Sequence, residues 1–251
     1  MQARAKQPVQ PLPLGFLLGC AMVFAMAVAG TVHFSRTMSA MWSPMPCCSW
    51  IVSAGMFLLV WSVMMVAMML PSVLPMLLNV RGVSGGKFRM VAVFAAAGYF
   101  FVWIFIGAIV YVYGTAYALE AVRLTWLRQL TPVLAGIALI VAGIVQFSSW
   151  KMTALRRCRS KGGDDLLNAG VIGGWRYGVR HGMACGICCA APMLALLVLG
   201  MMNLKAMILI TVVVTAEKLL PHPERTARVF GVVAILAGIG MIVRAALLQG
   251  I

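Results

Sequence analysis

Charge is what this 251-residue sequence has least of. Only 10% of its residues are charged and 63% are hydrophobic, whereas soluble globular chains carry roughly 25% charged and 45–50% apolar residues. Acids are scarcest, with five Asp and Glu against twenty Lys and Arg and a net charge of +15. In a soluble chain that excess would suggest a nucleic-acid partner. Here the basic residues fall mostly between apolar runs, which excludes nucleic acid and makes the anionic headgroups of a lipid bilayer the expected partner. A P-loop and a phosphorylated-aspartate motif are both missing, so a pump driven by its own nucleotide hydrolysis is excluded. No second soluble domain, internal repeat or low-complexity tract is present, and nothing in the sequence demands an enzyme.

Long apolar runs fill the rest. They predict an all-α integral membrane protein, a single bundle of about seven transmembrane helices near 14–34, 50–79, 90–117, 130–150, 183–203, 204–220 and 228–248. About 20 residues per helix cover the ~30 Å hydrocarbon layer. The first run, Leu14 to Phe34, is a full-length span with no small-x-small cleavage site after it, so it is expected to stay in the mature protein. The second and third runs exceed the bilayer and must tilt, kink or emerge, with Pro71 and Pro75 as natural kink points. Around Asn203–Lys205 two runs meet almost without a loop, which favours a tight helical hairpin over a re-entrant pair.

Alternating the loops between sides puts 15 Lys and Arg on the N-terminal side and 5 on the other. Because basic loops stay inside, the N-terminus is expected in the cytoplasm and the C-terminus outside, across a bacterial inner membrane.

The candidate chemistry is soft. Cys185, Cys188 and Cys189 stand at i, i+3 and i+4, so a helix projects them from nearly one face. Clustered thiolates bind Cu(I) or Zn(II), although cysteine also packs well as a small apolar residue. The second run carries Met64, Met65, Met68 and Met69 before the two prolines. Thioethers are soft donors too, and equally common fillers of apolar cores. Gln146 and Glu217 are expected at similar depth to the cysteines, as groups behind the ligands or linked to protons, and the interfacial His181 could be a ligand or a proton carrier. Glu217 could instead sit at the interface, paired with Arg180 or shielded by Lys218. Gly143, Gly182 and Gly186 would let the helices approach around a common inner-leaflet cavity. On the outer side, His33, Met38, Met41, Met45, Cys47 and Cys48 form a soft-ligand loop suited to external capture of Cu(I), or to disulfides. On the inner side, Arg156, Arg157, Cys158, Arg159 and Lys161 are expected at lipid headgroups.

Three blocks together resemble an uncharacterised bacterial family of predicted metal-binding integral membrane proteins. The first is Trp61-Ser-Val-Met-Met-Val-Ala-Met-Met-Leu-Pro71-Ser-Val-Leu-Pro75-Met76. The second is Ala142-Gly143-Ile-Val-Gln146, followed by Lys151 and Arg156-Arg-Cys158-Arg159-Ser160. The third joins Gly178-Val-Arg180-His181-Gly182, Cys185-Gly-Ile-Cys188-Cys189, Gly200-Met201-Met202-Asn203 and Glu217-Lys218-Leu-Leu-Pro221. The sequence departs from that family at Ala154, where a second cysteine is frequent, and at Ala190, where an aromatic is frequent. The resemblance implies metal binding.

Donor softness puts copper first and zinc second, for trafficking or for assembly of a copper-dependent membrane or periplasmic partner. Two other functions compete. A thiol-disulfide redox protein would use Cys47 and Cys48 outside and Cys185-Gly-Ile-Cys188 within. A structural or accessory subunit would only pack its cysteines.

Overall fold

The computed structural model describes residues 14–37, 50–84, 88–159, 170–201, 203–220 and 223–249. Among them the chain is all-helical, with eight helices: α1 (Leu14–Thr37), α2 (Trp50–Ser84), α3 (Phe88–Arg123), α4 (Thr125–Val145), α5 (Ser149–Arg159), α6 (Gly170–Leu199), α7 (Leu204–Leu219) and α8 (Pro223–Gln249). Six of these, α1 to α4, α6 and α8, are long and apolar enough to cross a membrane. The seventh expected span, α7, has 16 residues. At 1.5 Å per residue it rises about 24 Å, short of the ~30 Å hydrocarbon layer.

Two further differences from the sequence reading bear on the site. Residues 151–159, expected as part of a basic inner loop, lie in the short helix α5, which begins at Ser149 within the expected end of the fourth span. Ser148 starts it by accepting a hydrogen bond from the backbone N–H of Trp150 at 3.2 Å. In addition, α6 begins at Gly170 rather than near residue 183, so the cysteines lie midway along it instead of at its start.

Glycine explains the early start of α6. Gly174, Gly178, Gly182 and Gly186 recur every four residues and line one face of the helix. A Cβ at Gly174 would stand 2.7 Å from the Val91 carbonyl oxygen, and one at Gly178 would collide with the Ala95 carbonyl. The same face meets Tyr99 and Val102 at Gly182, and Ile106 at Gly186. Contacts therefore advance together along α3 and α6, which run parallel with their backbones nearly touching. Where lipid removes the hydrophobic drive for helix association, such small-residue faces permit the close packing that holds helices together.

The partnership of α4 with α8 uses the same device in the antiparallel sense, since Gly143 meets Gly231 and Gly136 meets Gly238. The most buried of the six long helices is α2, which stays helical through Pro71 and Pro75 rather than breaking there. The Trp61 indole of α2 donates to the Trp103 carbonyl of α3 at 2.9 Å, over a Gly107 that leaves room for the ring. After α6 the chain reverses tightly. Gly200 takes φ +96°, a conformation that glycine adopts without a Cβ clash, and the Asn203 side chain caps α7 by accepting from the backbone N–H groups of Lys205 and Ala206. Helix α7 then packs against α2, α6 and α8, and its last turn meets α5.

Candidate metal centre

Cys185, Cys188 and Cys189 are fully buried on α6, and their three Sγ atoms lie within 4.8 Å of one another. Two of the separations are 3.7 Å, between Cys185 and Cys189, and 3.6 Å, between Cys188 and Cys189. Three sulfurs bound to one metal at about 2.3 Å in tetrahedral directions would sit about 3.8 Å apart. The spacing fits one soft ion with little rearrangement.

The packing of α6 against α3 aims this cluster. By seating Gly182 on Tyr99, it brings the Tyr99 hydroxyl to 2.9 Å from Cys185 Sγ, where the two share a hydrogen bond. From the other side Lys218 of α7 donates its ammonium to the same sulfur, also at 2.9 Å. Negative charge on buried sulfur requires a compensating cation, and Lys218 stands where that compensation is needed.

A fourth sulfur joins the group. Cys158 Sγ of α5 lies 3.4 Å from Cys188 Sγ and is half-buried. Its basic neighbours place this residue at the headgroups by sequence, but α5 turns it inward. The missed signal is helical spacing, because Lys151, Ala154 and Leu155 are buried and Cys158 follows them at i, i+3, i+4 and i+7 on one inward face. The Cys158 thiol is held well above its ordinary range, chiefly by the neighbouring Cys185 sulfur and then by burial, against a lowering contribution from Cys188. It therefore stays protonated at neutral pH, so metal taken up here must displace a proton.

Glu217 belongs to a separate network. Lys151 donates to both of its carboxylate oxygens at 2.9 Å, and Gln146 donates to one at 3.2 Å. All three side chains are buried. Arg180, weighed earlier as its partner, is exposed, while Arg159 reaches the Glu217 and Leu220 carbonyls and Arg156 pairs with Glu224. These arginines are thus engaged with α7 and α8 in addition to any headgroup role.

Met64, Met65, Met68 and Met69 are all buried and share one apolar cluster with the three cysteines, on the most buried of the six long helices. His181 lies apart from the cysteine ligand set and lines a cleft with Tyr177, whose ring centre is 5.9 Å away. His33 is exposed near the end of α1. Met38, Met41, Met45, Cys47 and Cys48 lie outside the described residues, and with them all of the expected capture loop except His33 and the Cys47–Cys48 part of the thiol-disulfide alternative. Tyr99, Lys151 and Lys218 were not anticipated as site residues. Their roles depend on helices brought together from distant parts of the chain.

A buried three-thiol group beside an ammonium is a donor set for a soft cation. A family model described as a copper chaperone, PpoB2, matches residues 58–241. The chain belongs to that family. The match covers α6, α7, α5 and most of α2, and so takes in all four sulfurs, Lys218 and Glu217. No curated protein and no solved structure matches the chain.

Proposed function

We propose that this protein is a membrane-embedded copper chaperone. It holds Cu(I) on the thiolates of Cys185, Cys188 and Cys189 for trafficking, or for assembly of a copper-dependent partner. The observation that carries this reading is the set of three buried sulfurs within 4.8 Å of one another, in a member of a copper chaperone family. Low-coordinate thiolate suits Cu(I), and a dry, apolar surround keeps water and hard ligands away from it. Met64, Met65, Met68 and Met69 serve as further soft donors in the same apolar cluster. Gln146 and Glu217 stand behind the site by tying α5, which carries Cys158, to α7, which carries Lys218, and His33 with the methionines of the following segment collects metal outside.

In this reading the chain crosses a bacterial inner membrane seven times, N-terminus inside, with α7 as a short seventh crossing in a locally thinned or covered part of the bundle. The return of α7 to the level of α5 supports it, as does the clustering of Lys and Arg on one side. A periplasmically active reporter joined after Ile251 should work, whereas the same reporter within 160–169 should stay silent. The reverse pattern would invert the orientation.

The function is tested on protein purified in mild detergent. It should bind Cu(I) in competition with a chromogenic chelator and ignore Mg(II) and Ca(II), which require oxygen donors. Replacing all three cysteines by serine should weaken Cu(I) binding by about a thousandfold or more, because serine keeps the size and hardens the donor. Affinity should also fall as pH is lowered, by about tenfold per pH unit for each proton that binding releases. A folded triple variant that binds like the parent would rule out the cysteine site.

A further inference from the structure

The buried trio cannot load itself, since a metal must first reach it. A cleft of about 180 Å³ lies between α2, α5, α6 and α7, and Ser72, Asn79, Cys158, Arg159, His181 and Lys218 are among its lining residues. None of the three buried cysteines lines it. Cys158 does, and its sulfur is 3.4 Å from Cys188. Of the four grouped sulfurs, it alone faces both the cleft and the trio.

The lining is also selective. Arg159 and Lys218 contribute cations, and the Ser72 hydroxyl, only 8% exposed, has no hydrogen-bond partner. A cationic pocket with a spare hydroxyl and a thiol at its inner wall matches a small anionic Cu(I)–thiolate complex.

We propose that Cys158 is the transfer ligand of this site, exchanging Cu(I) between a small anionic thiolate carrier in the cleft and Cys188 of the buried trio. The inference rests on the copper reading above. In the loading direction the Cu–S bond to one carrier thiolate breaks as a bond to Cys158 Sγ forms, and the Cys158 proton leaves on the released carrier thiol. Copper then passes to Cys188, whose proton returns to Cys158. Copper stays Cu(I), so no oxidant or reductant is involved, and the reverse sequence unloads the site.

The experiment uses the full chain in detergent and Cu(I) presented as its complex with reduced glutathione, following both the transfer rate and the equilibrium affinity. Cys158→Ser should leave affinity within about threefold of the parent but slow transfer by about tenfold or more. Cys158→Met, which restores a soft donor, should recover most of that rate. If the serine variant does not fold, Cys158→Ala, which puts no polar group in the half-buried position, should show the same slowing. An unchanged rate in Cys158→Ser, or a loss that methionine does not restore, overturns the transfer role and leaves the copper reading standing. So does a loss of affinity as deep as that of the triple serine variant, which would make Cys158 a resident ligand. A parent that binds no Cu(I) overturns both.

Discussion

Glu217 and Lys218 are neighbours on α7, yet they serve two unlike centres. Glu217 turns toward α4 and α5, where Lys151 and Gln146 satisfy it with two 2.9 Å bonds and one of 3.2 Å. Lys218 turns toward α6 and meets a sulfur. The first centre is closed, with charge matched by charge and hydrogen bonds along one carboxylate. The second is open, because the ammonium faces a thiol that can exchange its proton for a metal. One helical step thus separates a group that locks the helices from a group that serves chemistry, and the difference lies in the partner rather than in the burial.

The largest expected effect falls on the closed centre. Removing one member of a buried pair leaves an unmatched charge and costs about 3–5 kcal/mol. Lys151→Met and Glu217→Leu should each therefore lower the yield of folded protein and its melting temperature sharply. The double variant should recover much of that loss, since two apolar side chains leave no charge behind. If both singles melt like the parent, the pair does not lock α5 to α7.

Next in size is the packing that presents the open centre. Gly178→Ala forces a methyl into the Ala95 carbonyl on α3, and overpacking of this kind costs roughly 1–3 kcal/mol. It should also displace Tyr99 from Cys185, so Cu(I) affinity and thermal stability should fall together. Gly170→Ala provides the contrast. It meets no neighbouring atom but carries φ +70° at the helix start, so stability should drop through local strain while Cu(I) affinity is kept.

The smallest expected effect falls on Lys218 itself. Lys218→Met keeps the length of the side chain and removes its charge, and should weaken Cu(I) binding by about tenfold, or ~1.4 kcal/mol, with little change in melting. Lys218→Arg should preserve most of the affinity. An equal loss in both variants would show that the side chain's fit, not its charge, is what the sulfurs need.

Much of this was legible in the sequence, and the reasons differ by element. The apolar runs behind α2, α3 and α8 mark helices because an apolar stretch of that length has few other ways to satisfy its backbone. Helix α5 is hidden in the sequence because Arg156, Arg157 and Arg159 in its last turn mask the inward face through Ala154, Leu155 and Cys158. The start of α6 was missed because glycine and arginine there resemble a loop until α3 is seen against them.

The sequence by itself determined that the chain is helical and apolar, and that Cys185, Cys188 and Cys189 share a helix face, since 3.6 residues per turn settles that locally. Only the tertiary structure decided which residues meet that face. Tyr99, Cys158 and Lys218 lie 86, 30 and 33 positions from their sulfur partners. No local periodicity carries information across such separations. Their meeting depends on how closely the glycine faces let α3 and α6 approach, and on where the reversal at Gly200 sends α7.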